Sequence, residues 1–237
     1  MSEKQIKSKQ RVADHGEVFT ADREVNAMLD LVKDETERID SRFLEPACGE
    51  GAFLKKILER KLAVVSEKYA KNESSYTRAS ILALMSIYGI DLLTDNAQIC
   101  RDNLYEIWLN TFKRDMKHSP SVPYRETAKY ILEKNIIVGN ALTLMCVDKQ
   151  QRDTDQYVTF CEWNFVTTDK VKRRDFRLDI LLADESASQK EDQMSLNLFG
   201  DDPLSSDFWT KDETGHTVPA PIKEYPLTNY WEVMKYE

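Results

Sequence analysis

No apolar run in this chain of 237 residues approaches the ~18 consecutive residues that a membrane-crossing helix needs, so no such span is expected. The opening stretch, MSEKQIKSKQ, places no hydrophobic segment after its lysines and does not read as a secretory signal. Cysteine is sparse and scattered. Cys48, Cys100, Cys146 and Cys161 form no CxxC pair and have no histidine near them in sequence. A disulfide framework and a zinc site are therefore not expected, and a reducing cytoplasm fits. Positive charge is also short: the formal net charge is -8, the wrong sign for a chain that neutralises phosphates. The excess is local, however. Residues 184–213 carry nine acids against Lys190 and Lys211, or -7, which leaves the rest of the chain at -1. With 41% apolar and 31% charged residues, the body reads as one soluble globular domain, large enough for a real core.

The chain is organised around Phe43 to Leu54, FLEPACGEGAFL. Two apolar residues end in Glu45, and Pro46, Ala47 and Cys48 follow. Gly49 and Gly51 bracket Glu50 before a second apolar pair opens an amphipathic run. Strand, glycine turn and helix is the physical reading. Glycine takes backbone angles that a side chain blocks, so a ligand can approach this main chain closely. The helix behind points its unpaired amides at the turn. Glu45, at the strand's carboxyl end, is an acceptor facing the same crevice. The stretch resembles motif I of S-adenosylmethionine-dependent DNA methyltransferases, which the adenine-modifying branch typically writes Asp/Glu-Pro-Ala-Cys-Gly-x-Gly-x-Phe-Leu. In that family the acid meets the methionine amine and the glycines let the loop pass under the cofactor. The resemblance gives those roles to Glu45, Gly49 and Gly51, with Pro46, Ala47 and Cys48 in the turn. The plainer alternative is an ordinary strand-to-helix turn.

Upstream, Lys4, Lys7, Lys9 and Arg11 form an arm that either brushes phosphates or is a solvated terminus. Thr20 is expected to cap a helix with Asp22 and Glu24 in its first turn and Val25, Met28, Leu29 and Val32 as its apolar stripe. Family members whose order starts with motif X often carry Gly-x-x-Phe-Thr-Pro here. Gly16, Phe19 and Thr20 match while Ala21 replaces the proline, which implies that Phe19 and Thr20 border the cofactor. After the glycine turn, Leu54, Ile57, Leu58, Leu62, Val65 and Tyr69 recur at helical spacing. KNESS, residues 71–75, breaks the pattern, a second helix runs through Ile81, Leu82 and Met85, and IYGIDLL reads as a short buried strand. In doubly wound nucleotide folds an acid after the second strand holds the ribose hydroxyls. Motif II of the family usually reads Gly-Ile-Asp/Glu-Leu, so Asp91 takes the ribose, with Ile90 or Leu92 against the adenine; a helix-capping aspartate is the alternative. Ala97, Cys100, Leu104, Ile107 and Trp108 mark a further helix, a loop with two prolines spans residues 115–125, and ETAKYILEK leads into the strand IIVGNAL. Motif III is often Gly-Asp/Asn-Ala-Leu, whose polar residue meets the exocyclic amine of adenine. Asn140 and Ala141 match it, although Asn is also a common turn residue.

The pattern stops at the reaction. Adenine-methylating enzymes carry Asn/Asp-Pro-Pro-Tyr/Phe after the fourth strand, where the polar group and a carbonyl accept from the target amine and the ring stacks on the flipped base. This sequence has no Pro-Pro pair. Asn164 and Phe165, in CEWNFV, come nearest but lack the rigid proline spacing, and a strand end or hairpin suits them better. Size agrees. Four further strands with their helices take on the order of 80–100 residues, whereas 43 residues separate Asn140 from Asp184. KVKRRDFRLDILL gathers Lys170, Lys172, Arg173, Arg174 and Arg177, either a phosphate-neutralising patch or a charge-protected strand edge. QMSLNLF, Gln193 to Phe199, resembles the peptide by which bacterial replication and repair proteins hold the DNA sliding clamp. Gln193, Ser195, Leu196, Leu198 and Phe199 match. It is an apolar hook on an acidic tether, or a staple onto its own domain. The prolines of the C-terminal stretch suggest an extended course, with Tyr225, Tyr230 and Trp231 anchoring it to the body or a partner.

These readings give an α/β fold: a Rossmann-like S-adenosylmethionine methyltransferase sheet, helices on both faces, and a reduced or rearranged C-terminal half. The expected division is residues 1–183 as the cofactor-binding domain, 184–213 as an acidic insertion and 214–237 as a packing segment. The expected function is that of a DNA adenine methyltransferase-like protein of a restriction-modification or defence system, completed by a catalytic or specificity subunit. Its expected partners include DNA and the sliding clamp, with no membrane. The alternative is a catalytically silent cofactor-binding subunit.

Overall fold

The structure is a computed structural model that describes residues 20–183, 208–212 and 214–236. Phe19, the basic arm before it and the Gln193–Phe199 peptide lie outside the described residues. Helix α1 (Asp22–Asp30) begins with two acids facing its positive end. Its N-cap is Ala21 rather than the expected Thr20, and no side chain caps it. Val25 and Leu29 are buried, while Met28 and Val32 are exposed, so the stripe is narrower than its spacing suggested. The short α2 (Lys33–Thr36) leads to β1 (Phe43–Glu45). In α3 (Ala52–Tyr69) the buried face is Leu54, Ile57, Leu58, Leu62 and Val65, the residues that recur at helical spacing. The polar break at 71–75 is a cap: Asn72 Oδ1 accepts the Ser75 N–H at 2.9 Å and starts α4 (Glu73–Met85). Then follow β2 (Ile87–Asp91), α5 (Thr94–Met116), α6 (Val122–Asn135) and β3 (Ile136–Asn140). The loop expected across 115–125 shrinks at both ends, because α5 continues to Met116 and Pro123 sits in the first turn of α6.

Strands β1, β2 and β3 are parallel neighbours, with Phe43 opposite Ile87 and Gly89 opposite Ile136. The chain then doubles back. β4 (Met145–Val147) runs antiparallel to β3, and β5 (Asp153–Tyr157) antiparallel to β4. The result is a mixed α/β fold whose main sheet has the order β1-β2-β3-β4-β5. A second sheet is built on the hairpin of β6 (Thr159–Phe165) and β7 (Lys170–Arg177). After α7 (Leu178–Leu182), β8 (Trp209–Lys211) and β9 (Thr217–Pro219) form a separate hairpin, so a boundary at 213 falls inside its turn. β10 (Lys223–Glu224) and β11 (Thr228–Asn229) add to the far side of β7, and a 3-10 helix (Tyr230–Lys235) ends the described chain.

β2 shows how the layers stack. Ile87 packs into the core formed with Leu54, Ile57 and Trp108, whereas Tyr88 and Ile90 meet Val158, Phe160 and Leu178. The second face is thus covered mainly by strand β6, where a layer of helices was expected. Val158, Phe160 and Leu178 supply the apolar area that a helix stripe would, and the Tyr88 hydroxyl donates to the Cys161 carbonyl at 2.9 Å. The C-terminal stretch lies on the body. The Tyr225 hydroxyl donates to Asp175 at 2.8 Å, and Tyr230 is buried and stacked on Tyr124.

Two polar devices tie the helices to the sheet. Buried Lys61 donates to the carbonyls of Arg38, Ile39 and Ser41 and to Ser86 Oγ at 2.5–3.1 Å, clamping the approach to β1 onto the start of β2. Burial pushes its ammonium down to about 7. Asp115, at the end of α5, accepts from Ser66 of α3 and Tyr76 of α4 and so joins three helices. No helix among the described residues is long and apolar enough to cross a membrane.

Candidate functional site

Glu45, Asp91 and Asn140 are the last residues of three adjacent parallel strands, so all three stand at one end of the sheet. Between β1 and α3 the chain makes a tight turn. The Cys48 N–H donates to the Ile90 carbonyl at 2.9 Å and the Gly51 N–H to the Cys48 carbonyl at 2.8 Å. Both glycines are in the left-handed region, Gly49 at φ +51° and Gly51 at φ +84°. Their surroundings differ. A Cβ on Gly49 would meet nothing within 4 Å, whereas one on Gly51 would lie 2.8 Å from Cys100 Sγ. Gly49 therefore leaves open space above the turn, and Gly51 lets α3 start against α5. Asn103, also on α5, donates to the Glu50 carbonyl at 3.0 Å and holds the turn from outside.

Asp91 is the keystone of this turn. One carboxylate oxygen accepts the Gly49 N–H at 2.8 Å and the other the Leu93 N–H at 2.9 Å. The second bond is the cap-like contact allowed for in the sequence; the first bridges two strand ends and has no sequence signal. Each oxygen keeps a further lone pair for a hydroxyl donor. Glu45 is half-buried, and burial raises its pKa, an effect partly offset by the Ala47 N–H. Asn140 Oδ1 accepts from the Leu142 and Thr143 N–H groups at 3.0 and 3.4 Å, and its Nδ2 donates to Asp153 at 3.3 Å. Its turn-forming role is thus realised, and its amide oxygen is already engaged. Leu92 and Ala141 are half-buried beside these groups, Pro46 and Ala47 are exposed on the turn, and Thr20 is half-buried ahead of α1.

Other residues are placed elsewhere. Cys48 contributes backbone to the turn, but its side chain is core: it is 5% exposed, with Sγ 3.0 Å from where a Cβ on Gly89 would stand. A hydrogen bond with Cys100, followed by burial, pushes its thiol well above the usual range. Asn164 and Phe165 do not join the crevice. Along β6, Val158 abuts Gly139 near the carboxyl end of β3, while the Trp163 indole N–H bonds Asn135, just before β3 begins. The strand therefore runs away from the crevice, and its last residues belong to the opposite end of the sheet. There Asn164 Oδ1 accepts from Arg42, and the Phe165 ring packs on Tyr230.

The basic patch is also not a free cationic surface. Arg173 is buried against Asp175, with paired contacts of 2.9 Å, and Arg177 is buried against Asp179 at 2.7 Å. Arg174 pairs with Glu162 and Lys172 with Glu224, and Lys170 stands in β7 beside β11. Acids two residues on, Asp175 and Asp179, were visible in sequence but not that they fold back on these arginines. No family model matches this sequence, no curated protein is similar to it, and no solved structure matches its fold.

Proposed function

We propose that this chain is the S-adenosylmethionine-binding part of a DNA adenine methyltransferase-like protein, acting in the cytoplasm within a restriction-modification or defence system, with its target-base pocket supplied by a partner chain. The observation that supports it most is the convergence of Glu45, the Gly49 turn, Asp91 and Asn140 at the carboxyl ends of adjacent parallel strands. That is where open α/β sheets bind nucleotides, and on this reading β1, β2 and β3 are the first half of a Rossmann-like sheet. The residues present fit the cofactor. Open space stands over Gly49, and Glu45 carries a carboxylate raised by burial with no described cation to balance it. Glu45 holds the methionine amine, Asp91 the ribose, and Asn140, Leu92 and Ala141 flank the adenine. When bound, the cofactor supplies a methyl group on a sulfonium. The chain's own residues orient that group but offer no described site for the base. Phosphate contacts then fall to the partner or to the arm of Lys4, Lys7, Lys9 and Arg11.

The placement of Asn164 and Phe165 away from the crevice favours one second reading, a silent subunit that binds the cofactor and transfers nothing. Calorimetric titration with S-adenosylmethionine, followed by transfer of labelled methyl groups to unmodified DNA with and without the neighbouring gene product, separates the two. Binding with transfer only in the pair supports the split enzyme, and binding with no transfer in either supports the silent subunit. Absence of binding removes both.

A further inference from the structure

We propose that the outer edge of β1, with the apolar groove beside it, is the seat of a β-strand from a second polypeptide. β1 ends the main sheet, and no described strand pairs with its outer side. The Phe43 N–H bonds toward β2, to Ser86 O at 2.9 Å, so in the alternating pattern of a parallel strand the Leu44 N–H and carbonyl face outward. Alongside lies a groove of about 560 Å³. Leu44 forms its β1 wall, Tyr88 and Phe160 its floor, and Leu178, Leu182 and Val218 line its far side. Glu45, Gly49 and Asp91 are not among its lining residues, so the groove is distinct from the crevice. Leu44 is 41% exposed and Leu182 63% exposed, an apolar surface flanking an unpaired backbone edge. Backbone pairing with pockets for alternate side chains is how an added strand is recognised.

Charge and topology define the occupant. On the rim Arg42 and Arg174 share a single carboxylate, Glu162, which leaves one positive charge uncompensated there. A strand that fits carries alternating apolar residues and an acid beside Arg42. In doubly wound sheets the second half joins at the edge of the first strand, and ligands bind at that switch point. A strand seated on Leu44 therefore delivers its following residues next to Glu45. This chain has too few residues after β3 for that second half, so the strand and its connecting helices belong to another polypeptide. The identity of those following residues as the target-base pocket rests on the function proposed above; the docking itself rests on the edge and the groove.

The test uses the full chain and a synthetic peptide of alternating valine and threonine with an N-terminal aspartate, ending in Asn-Pro-Pro-Tyr. Amide exchange at Leu44 should be fast in the free protein and slow at least tenfold on adding the peptide, with shifts at the Leu44, Leu178 and Leu182 methyls. Leu44→Pro removes the outward N–H and spares the β2 side, and Leu182→Asp charges an exposed wall. Each should weaken the peptide at least tenfold while leaving S-adenosylmethionine affinity unchanged. Peptide shifts elsewhere, or equal binding by both variants, overturn the proposal. It is also overturned if Leu44 is already protected in the free chain and deletion of residues 193–199 exposes it, because the chain's own hook is then the occupant. Docking without cofactor binding would reject the proposed function and keep this surface, and cofactor binding with no response at Leu44 would do the reverse.

Discussion

Replacing Asp91 tests whether the crevice is held together as its geometry implies. The carboxylate accepts two backbone N–H groups, Gly49 at 2.8 Å and Leu93 at 2.9 Å. A hydrogen bond to a charged group contributes about 1.5–3 kcal/mol, and at a half-buried site the freed amides recover some water, so Asp91→Ala should cost roughly 2–4 kcal/mol in all. Asp91→Asn keeps one acceptor oxygen and turns an NH2 toward an N–H, so it should lose about half as much. For a domain of this size each kcal/mol lowers Tm by ~2–4 °C, so the two variants should be separable by calorimetry or urea titration. The proposed ribose contact adds a second readout. If Asp91 also accepts a ribose hydroxyl, a 2′-deoxy cofactor analogue should lose at least threefold in affinity against the natural chain and nothing against Asp91→Ala, a coupling that a thermodynamic cycle isolates. Stability of Asp91→Ala within about 0.5 kcal/mol of the parent would refute the strut. Equal loss of the analogue by both proteins would refute the ribose role alone.

Other substitutions separate ligand groups from scaffold groups. Glu45→Gln should weaken S-adenosylmethionine by about 1–3 kcal/mol in calorimetric titration. Because burial raises the Glu45 pKa, affinity in the natural chain should fall as pH drops through that raised value, and the variant should lose this dependence. Gly49→Ala has room for its Cβ and pays only the left-handed strain of about 1–2 kcal/mol, so it should fold yet bind cofactor poorly. Gly51→Ala drives a Cβ to 2.8 Å from Cys100 Sγ and should melt lower than Gly49→Ala in the same thermal scan. Burial alone would raise the Asp115 pKa, but hydrogen bonds from Arg114, Ser66 and Tyr76 bring it down to about 2. The folded state therefore prefers the ionised form. That stability is present above the ordinary carboxylate value of 3.8 and is lost as pH falls toward about 2. Urea midpoints at pH 6 and pH 3 should differ less in Asp115→Asn than in the parent. Asn135→Ala removes bonds to the Leu84 and Ile87 carbonyls and to the Trp163 indole, and should cost roughly 2–4 kcal/mol of stability with cofactor affinity unchanged.

What was legible in the sequence is what the backbone fixes locally. The glycine turn, the helix behind it and the strands ending in Asp91 and Asn140 announce themselves through spacing over a dozen residues, and the fold places them as expected. Contacts that join distant segments were not legible. Nothing in FLEPACGEG says that Gly49 donates to Asp91, and nothing in KVKRRDFR says that Arg173 turns back on Asp175 under the Tyr225 ring. The five basic residues looked like a patch because sequence shows charge but not pairing. The face of β2 that carries Tyr88 was assigned to helices because an apolar residue in a strand does not reveal what covers it. Here β6 does, through Phe160 in edge-to-face contact with Tyr88 at 5.3 Å.

The division of polar bonds between the two ends of the sheet explains how half a methyltransferase-like sheet can hold together unaided. At the amino ends of the strands, Lys61 gathers the segment before β1 and the residue before β2, while Asn135 ties α4, β2 and β6 to the start of β3. These groups are buried and satisfied, and such networks fix one arrangement because any slippage leaves a donor or acceptor unpaired. At the carboxyl ends the side chains are half-exposed, and most retain acceptor capacity. The β6–β7 sheet closes the apolar face that a missing half would otherwise leave wet, yet it covers a face and not an edge, so the outer side of β1 stays unpaired. A strand that later pairs there meets a scaffold already rigid beneath it and need supply only its own ordering.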